Sequence, residues 1–240
     1  MSGRRIAGPG YPDDDGSADP GAAAALADYA AGQGSEHAAL TALARTRLLV
    51  PVVAVLTEAE EASHGGAERQ EKASEMALPK LVGADGREAV IAFTGMEALT
   101  RWRADARPVP VPAGQVWQAG IEEASAVVVD VAGPVPLAVE GARLAALAKG
   151  KPVPQPHEDP DLLAAARTAA EDEPLIGGIT LGPGQAGTDL SVAVTLSEDC
   201  APAGPGVQEA IQRVVETLAS AAGGRLRRGL EVAITMAGPQ

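Results

Sequence analysis

The chain has 240 residues, of which 46% are hydrophobic but only 2% aromatic, so its cores must be built from Ala, Val, Leu and Ile. This length fits two domains of roughly 100 residues each, each able to bury a core of its own. The net charge of -13 repels the phosphate backbone that supplies most nucleic-acid affinity, which excludes nucleic acid as an expected partner.

The chain has few residues that bind metals or form disulfides. Cys200 is its one cysteine and cannot form an internal disulfide, and three histidines supply few imidazole ligands. Arg4 and Arg5 run into GPGYPDDDG rather than an apolar segment, and no later stretch approaches ~18 uninterrupted apolar residues. We therefore expect a soluble protein of the reducing cytoplasm, with no membrane, metal or cofactor.

The first third of the chain predicts an arm, a helix, a strand and a loop. Residues 1–34 mix Gly, Pro, Asp and Ala around an acidic run, a composition that predicts disorder. Ser35 is in position to cap a helix to about Arg45. The apolar run LLVPVVAVL, residues 48–56, predicts a central strand buried on both faces. Residues 57–74 are polar around a Gly pair and predict an exposed loop.

The next segment predicts a hairpin and a capped helix. Residues 76–82 and 88–93 flank GADG, whose Asp-Gly pair suits the positive φ of a tight turn. Thr94 and Glu97 have capping-box spacing, which predicts a helix that runs to about Trp102.

Three prolines are expected to end that helix: Pro108, Pro110 and Pro112. A helix from about Ala113 is predicted to carry three residues on one face: Trp117, Ile121 and Ala124. Residues 126–131, AVVVDV, predict a second buried strand. Pro136 is expected to open a helix that ends near Lys149.

Residues 149–160, KGKPVPQPHEDP, hold four prolines among charges and predict an extended, semi-rigid linker. Beyond it, residues 161–240 predict a short helix and then a β-β-α-β unit, because apolar residues alternate in 190–196 and 230–236 and show helical spacing in 207–218. The predicted class is α+β: a mixed sheet with flanking helices from 35 to 148, followed by the smaller β-β-α-β domain.

Three separated segments resemble the SseB protein family. They are LLVPVVAV, EMALPKLVGADGREAVIAFTGMEALTRW and AVVVDVAGPVPLAVEGARLAALAKG, which lie between about Arg47 and Lys151. Through LSVAVTL and GLEVAITMAG, the C-terminal half looks like the second domain often found in these proteins. The resemblance implies a bacterial α+β protein and supplies no catalytic residues to carry over.

Gly182, Gly184 and Gly187 have the G-x-G-x-x-G spacing of a dinucleotide-binding loop. Such a loop needs a following helix, whose N-terminus holds the pyrophosphate. Residues 188–196 predict a strand instead, so we interpret this segment as a hairpin connection and expect no nucleotide cofactor.

Arg101, Arg103 and Arg107 cluster within seven residues of an otherwise acidic chain. Guanidinium groups bind phosphates and carboxylates, so the cluster is a candidate ligand- or partner-binding patch. The alternative is structural, because cations at a helix C-terminus are favoured by the macrodipole and Arg stems cover apolar surface.

Asp130 lies near the C-terminal end of a predicted strand, where α/β proteins often place ligand groups, and Glu140 and Arg143 follow on the next predicted helix. Asp130 and Arg143 are therefore candidate ligand-binding residues. In the structural alternative, Asp130 caps a turn or helix, and Glu140 forms an exposed pair with Arg143.

The other candidates for chemistry are isolated. Cys200 follows Glu198 and Asp199, which would raise its pKa, so we do not expect a nucleophile. The histidines at 37, 64 and 157 fall in a helix start, a loop and the linker, and are expected to be solvated. The PVP tripeptide at 152–154 could recruit a partner that binds polyproline segments.

We expect a non-enzymatic binding or adaptor protein whose partner is another protein, because no nucleophile-base pair, metal set or phosphate loop is apparent. Whether the chain is an enzyme stays open. One alternative is a sensor or enzyme that holds a small anionic metabolite in a cleft between the domains, through Asp130 and the three clustered arginines. Another is an accessory chaperone with an apolar groove on its sheet.

Overall fold

The computed structural model describes residues 11, 14–55, 75–77, 79–84, 86–185, 187–198 and 206–236. Its α-helices are α1 Pro20–Ala30, α2 Glu36–Leu43, α3 Met96–Trp102, α4 Ala113–Glu123, α5 Gly141–Ala148, α6 Pro160–Asp172 and α7 Val207–Ala222. Its strands are β1 Arg47–Val55, β2 Glu75–Ala77, β3 Lys80–Val82, β4 Glu88–Ala92, β5 Arg107–Pro112, β6 Ala126–Val129, β7 Leu137–Glu140, β8 Ile176–Pro183, β9 Leu190–Leu196 and β10 Leu230–Met236. A short 3-10 turn covers Pro156–Glu158.

The N-terminal part contains two sheets that meet at one bridge. One has the order β3-β4-β6-β7, in which β4 and β6 are parallel and both outer pairs are antiparallel. The other is antiparallel and has the order β2-β1-β5. Leu49 of β1 and Phe93 exchange backbone hydrogen bonds of 2.7 and 2.8 Å, which joins the two sheets. The mixed strands and flanking helices confirm the predicted α+β class.

The C-terminal part is the predicted β-β-α-β unit, preceded by α6. Its sheet has the order β10-β9-β8, with β8 and β9 antiparallel and with β10 parallel to β9 after the crossover through α7. The side chains of one face of β9 are fully buried against a core that also contains α6 and α7: Leu190, Val192, Val194 and Leu196.

The prediction that residues 1–34 are disordered throughout is wrong, because α1 lies within this range. Asp19 caps α1 by accepting the N–H of Ala22 at 2.9 Å, and Leu26 and Tyr29 are buried in the N-terminal core. Ahead of α1, the guanidinium of Arg47 binds the carboxylate of Asp14. The described part of this segment is ordered because its few apolar residues pack into a core formed by distant segments, which composition does not reveal.

Three local predictions need correction in the N-terminal part. Residues 75–77 pair with β1, not with β4, so the predicted hairpin holds for 80–82 only; its turn residue Asp85 lies outside the described residues. The predicted capping box does not form, because Thr94 bonds to Asp130 instead of to its own helix. The helix expected from Pro136 starts later, because alternate burial of Leu137 and Val139 places 137–140 in β7.

The prolines expected only to end α3 lie within strand β5. Leu49, opposite Pro110, bonds to Phe93 on its other side, so Leu49 and Pro110 form a pair without hydrogen bonds between them. Pro108 and Pro112 lie two residues away on either side and share this orientation. All three proline nitrogens therefore point to the outer edge of the sheet, where no ladder hydrogen bond is lost.

Two further expectations differ from the structure. Ile121 of α4 is exposed, and the buried face of this helix is formed by Val116, Trp117 and Gly120 instead. The linker, predicted to be extended and semi-rigid, contains a 3-10 turn and packs on its neighbours: Val153 is buried in the N-terminal core, and Asp159 is buried as the N-cap of α6. The predicted loop at 57–74 lies outside the described residues.

Candidate functional site

Asp130 lies where the parallel strands β4 and β6 end. Its backbone φ is +52°, and its carboxylate accepts the backbone N–H of Thr94 at 2.8 Å and the Thr94 hydroxyl at 2.7 Å. Burial raises the pKa of the Asp130 carboxyl, and the two hydrogen bonds from Thr94 only oppose this effect. The arrangement ties the ends of two strands together and leaves both carboxylate oxygens engaged.

A cleft of about 380 Å³ opens beside this pair, and we call it the β4–β6 cleft. Asp130 and Arg101 both line it, together with Leu26 of α1 and Val135. The structure therefore brings together two of the predicted site residues. Arg101, however, donates a 2.6 Å hydrogen bond to Glu97 on its own helix.

The three clustered arginines do not converge on one ligand position. Arg103 follows α3 and binds Asp105 at 3.0 Å, while Arg107 is an exposed residue at the start of β5. Of the three, only Arg101 lines the β4–β6 cleft. Local acidic partners thus occupy Arg101 and Arg103.

Arg143, the remaining predicted site residue, lies at the junction of the two parts of the molecule. Its Nη1 donates to Glu36 Oε1 at 2.5 Å, and both side chains are buried. Burial raises the pKa of Glu36, although the positive charges of Arg143 and Arg225 act in the opposite direction. This pair is a buried one, unlike the exposed Glu140–Arg143 pair considered from the sequence; Glu140 binds Arg87 instead.

Arg225 follows α7 and reaches the same junction. Its Nη2 lies 3.1 Å from Asp159 Oδ2, without the angles of a hydrogen bond. Burial lowers the pKa of Arg225, and the nearby charge of Arg143 lowers it further. Two buried guanidinium groups and two buried carboxylates therefore meet between the parts of the chain.

A second cleft, of about 250 Å³, opens onto this group of charges, and we call it the junction cleft. Arg143 and Arg225 line it, and so does Arg227, whose guanidinium carbon lies 5.3 Å from the ring centre of Tyr29. Sequence reasoning identified Arg143 but missed Arg225 and Arg227. The density of arginine in GGRLRRG was an available signal, but nothing local shows that Tyr29 and Arg143 face it.

β10 is an edge strand with exposed apolar residues. Val232, Ile234 and Met236 are 36%, 50% and 51% exposed. In the parallel register they lie beside Val192, Val194 and Leu196 of β9, which are fully buried on the same side of the sheet. Among the described residues, the helices that cover β9 therefore leave this side of β10 exposed to solvent.

The remaining candidates show no convergent geometry. Gly182 lies near the end of β8 and Gly184 in the connection to β9, and the strand that follows confirms the interpretation as a hairpin. His37 lies in α2, whereas His157 lies in the 3-10 turn. Within the described ranges, no group of three His, Cys, Asp or Glu residues could hold a metal ion. Cys200 and His64 lie outside those ranges.

An open groove of about 710 Å³ lies between α6 and α7. Its most prominent charged pair is Glu173 and Arg213, which form two hydrogen bonds with each other. These bonds lower the pKa of the Glu173 carboxyl. The groove therefore presents a paired charge rather than a free one.

The described residues form an α+β protein with three buried apolar clusters, in which most buried polar groups bind one another. The family model of the SseB protein N-terminal domain matches residues 23–146, just over half of the chain. The chain therefore belongs to the SseB protein family, as its three segments suggested. No curated protein and no solved structure matches the chain.

Among the helices that the structure describes, none is both long and apolar enough to cross a membrane.

Proposed function

We propose that this chain is a non-enzymatic binding or adaptor protein that pairs the edge of β10 with an extended segment of another protein. The observation that carries the proposal is the row formed by Val232, Ile234 and Met236, which is exposed beside a fully buried row on β9. Burial of such a row contributes free energy in proportion to the apolar area removed from water. A partner strand would cover that area.

Strand addition suits β10 because its edge carries none of the usual protective features. Natural proteins protect edge strands with prolines, lysines or bulges, and β5 of this chain has three prolines. LEVAITM has no proline and no lysine, and its one charged residue is Glu231. In strand addition, main-chain hydrogen bonds supply affinity and alternate side chains supply specificity.

The partner segment is expected to have apolar residues at alternate positions and to carry no net negative charge. Alternate apolar residues would meet Val232, Ile234 and Met236, which themselves alternate along the strand. The net charge of -13 would repel an acidic segment and accelerate the approach of a basic one.

Asp130 supports the non-enzymatic part of the proposal. A general acid or base must reach a substrate proton, but both oxygens of this carboxylate accept hydrogen bonds from Thr94. The residue is therefore better suited to joining β4 and β6 than to proton transfer.

The first step captures partner proteins from native cytoplasm with tagged full-length protein. Each partner is then purified, and its affinity for the protein is measured by calorimetric titration. Changing Ile234 and Met236 together to Thr is expected to weaken binding about tenfold or more, because Thr keeps strand propensity but removes apolar contact. The β10 amides should also gain hydrogen-exchange protection in the complex.

Val82→Thr is the matched control, because Val82 is a 67% exposed apolar residue on another edge strand. It should leave the affinity unchanged. The proposal fails if the Ile234/Met236 variant binds as tightly as the wild type while joint substitution of Arg101, Arg103 and Arg107 by Ala abolishes binding. Binding to unfolded clients alone would instead favour the accessory chaperone.

A further inference from the structure

Three arginines line the junction cleft and face several carboxylates. Arg143, Arg225 and Arg227 line it, and the carboxylates beside them are Glu36 and Asp159. The other acidic residue at the rim, Glu140, is bound by Arg87 at 2.6 Å. The charge of Asp161 also acts on Arg225, so the arginines and carboxylates around the cleft are close to balanced.

One donor in this region is buried without an acceptor, and a second reaches a carboxylate only as an ion pair. Arg143 is 5% exposed, and its Nε has no hydrogen-bond partner among the described residues; the same holds for Arg225 Nη2. Arg228, only three residues further along, shows the contrast, because its Nε and backbone N–H both donate to Asp189 at 2.8 Å. Buried donors usually have hydrogen-bond partners, so the two without one need an explanation.

Burial lowers the pKa of Arg225, and the positive charge of Arg143 lowers it further, so the two guanidinium groups repel each other. An oxyanion near both would supply an acceptor for Arg143 Nε and a hydrogen bond for Arg225 Nη2, and it would reduce this repulsion. Guanidinium groups suit this task, because their fork of N–H donors matches carboxylate and phosphate oxygens. A volume of about 250 Å³ admits such a group with a small body attached.

We propose that the junction cleft binds the phosphate or carboxylate group of a small metabolite, held by Arg143, Arg225 and Arg227. Of the candidate residues from the sequence, the site uses Arg143 but neither Asp130 nor the clustered arginines at 101, 103 and 107. It is also independent of strand addition at β10.

The test titrates the full-length protein with inorganic phosphate and, separately, with malonate, at constant ionic strength, and follows binding by calorimetry and thermal unfolding. At least one of the two anions is expected to bind saturably and to raise the unfolding temperature. Phosphate binding alone would assign a phosphate ligand, and malonate binding alone a carboxylate.

Arg227→Gln is the decisive variant, because Arg227 is exposed and its loss leaves the buried pairs intact. It should weaken anion binding about tenfold, the effect of losing one charge-assisted hydrogen bond. Arg167→Gln, an equal change of charge at an exposed position of α6, should leave binding unchanged. Equal binding by both variants, or a response linear in salt for both anions, overturns the proposal and leaves Arg225 and Arg227 as cations at the C-terminus of α7.

Discussion

Asp130 combines two local features that explain why an acidic residue occupies this position. A φ of +52° is costly for most side chains, but Asp and Asn tolerate it, and the carboxylate also binds both polar groups of Thr94. The residue therefore fixes the turn after β6 and the entry to α3 at once. A structural role of this kind was one of the two interpretations of Asp130 from the sequence.

Asp130→Ala is expected to lower the free energy of unfolding by about 2–4 kcal/mol, because it leaves Thr94 without its acceptors and strains the backbone. Asp130→Asn should cost clearly less, since Asn accepts the same φ and the Thr94 hydroxyl can reverse its hydrogen bond. Urea unfolding of both variants measures the difference. Equal losses would show that these hydrogen bonds contribute little.

Glu36 gives a prediction about pH. Burial raises its pKa above the ordinary 4.5, so the folded state favours the protonated acid more than the unfolded state does. The stability that Glu36 contributes is therefore fully present below pH 4.5 and is lost as the pH rises through the folded-state pKa.

The free energy of unfolding of the wild type minus that of Glu36→Gln should consequently decrease as the pH rises above 4.5. Urea titrations of both proteins across this range measure the difference, and the other carboxyl groups cancel because both proteins have them. A difference that grows with pH would mean that Arg143 outweighs burial.

Helix α4 packs closely on β6 at Gly120. A Cβ at this position would lie 2.4 Å from Cγ2 of Val127, whereas a Cβ at Gly114 of the same helix would meet nothing within 4 Å. Periodicity predicted the helix, but the close approach depends on which strand the helix covers. The sequence pattern therefore could not distinguish the two glycines.

Gly120→Ala is expected to destabilise the protein by about 1–2 kcal/mol, although Ala is the better helix former, because overpacking outweighs propensity. Gly114→Ala should instead be neutral or stabilise by up to about 1 kcal/mol. Thermal unfolding compares the two variants. A gain in stability for Gly120→Ala would show that β6 yields to the added methyl group.

Elements with a clear apolar period were predictable, and those that depend on distant partners were not. The alternation of apolar residues in β9 and their helical spacing in α7 were sufficient to predict these two elements, because each pattern matches one buried face. Helix α1 was missed because its buried residues need a core from segments far along the chain. In the candidate sites, Asp130 and Arg143 stood out by position, whereas the partners Thr94 and Glu36 depend on tertiary structure.

On the scale of the whole molecule, two buried charge pairs lie side by side at the junction of the N-terminal and C-terminal parts. Arg143 of α5 binds Glu36 of α2, while Arg225, from the C-terminal part, lies against Asp159 of the linker. Such pairs contribute little net stability when complete, but breaking one leaves a buried charge without its partner. The junction is therefore sensitive to single substitutions.

Arg143→Met is expected to cost about 3–5 kcal/mol in free energy of unfolding, because Glu36 loses its partner. The double variant with Glu36→Gln should recover part of this loss, which gives a coupling free energy of at least about 1 kcal/mol. Arg101→Met, which breaks the exposed pair with Glu97, is the control and should change stability little. Additive effects at the buried pair would contradict the prediction.

The prolines of β5 also determine how well the outer edge of this strand can pair with another polypeptide chain. Because Pro108, Pro110 and Pro112 place their nitrogens on the outer edge, that edge offers carbonyl oxygens but no amide donors over the whole strand. An unfolded chain that docked there would leave its own carbonyls without partners. The missing proline N–H groups therefore oppose β-aggregation along the edge of β5, and the hydrogen bonds between β5 and β1 are kept.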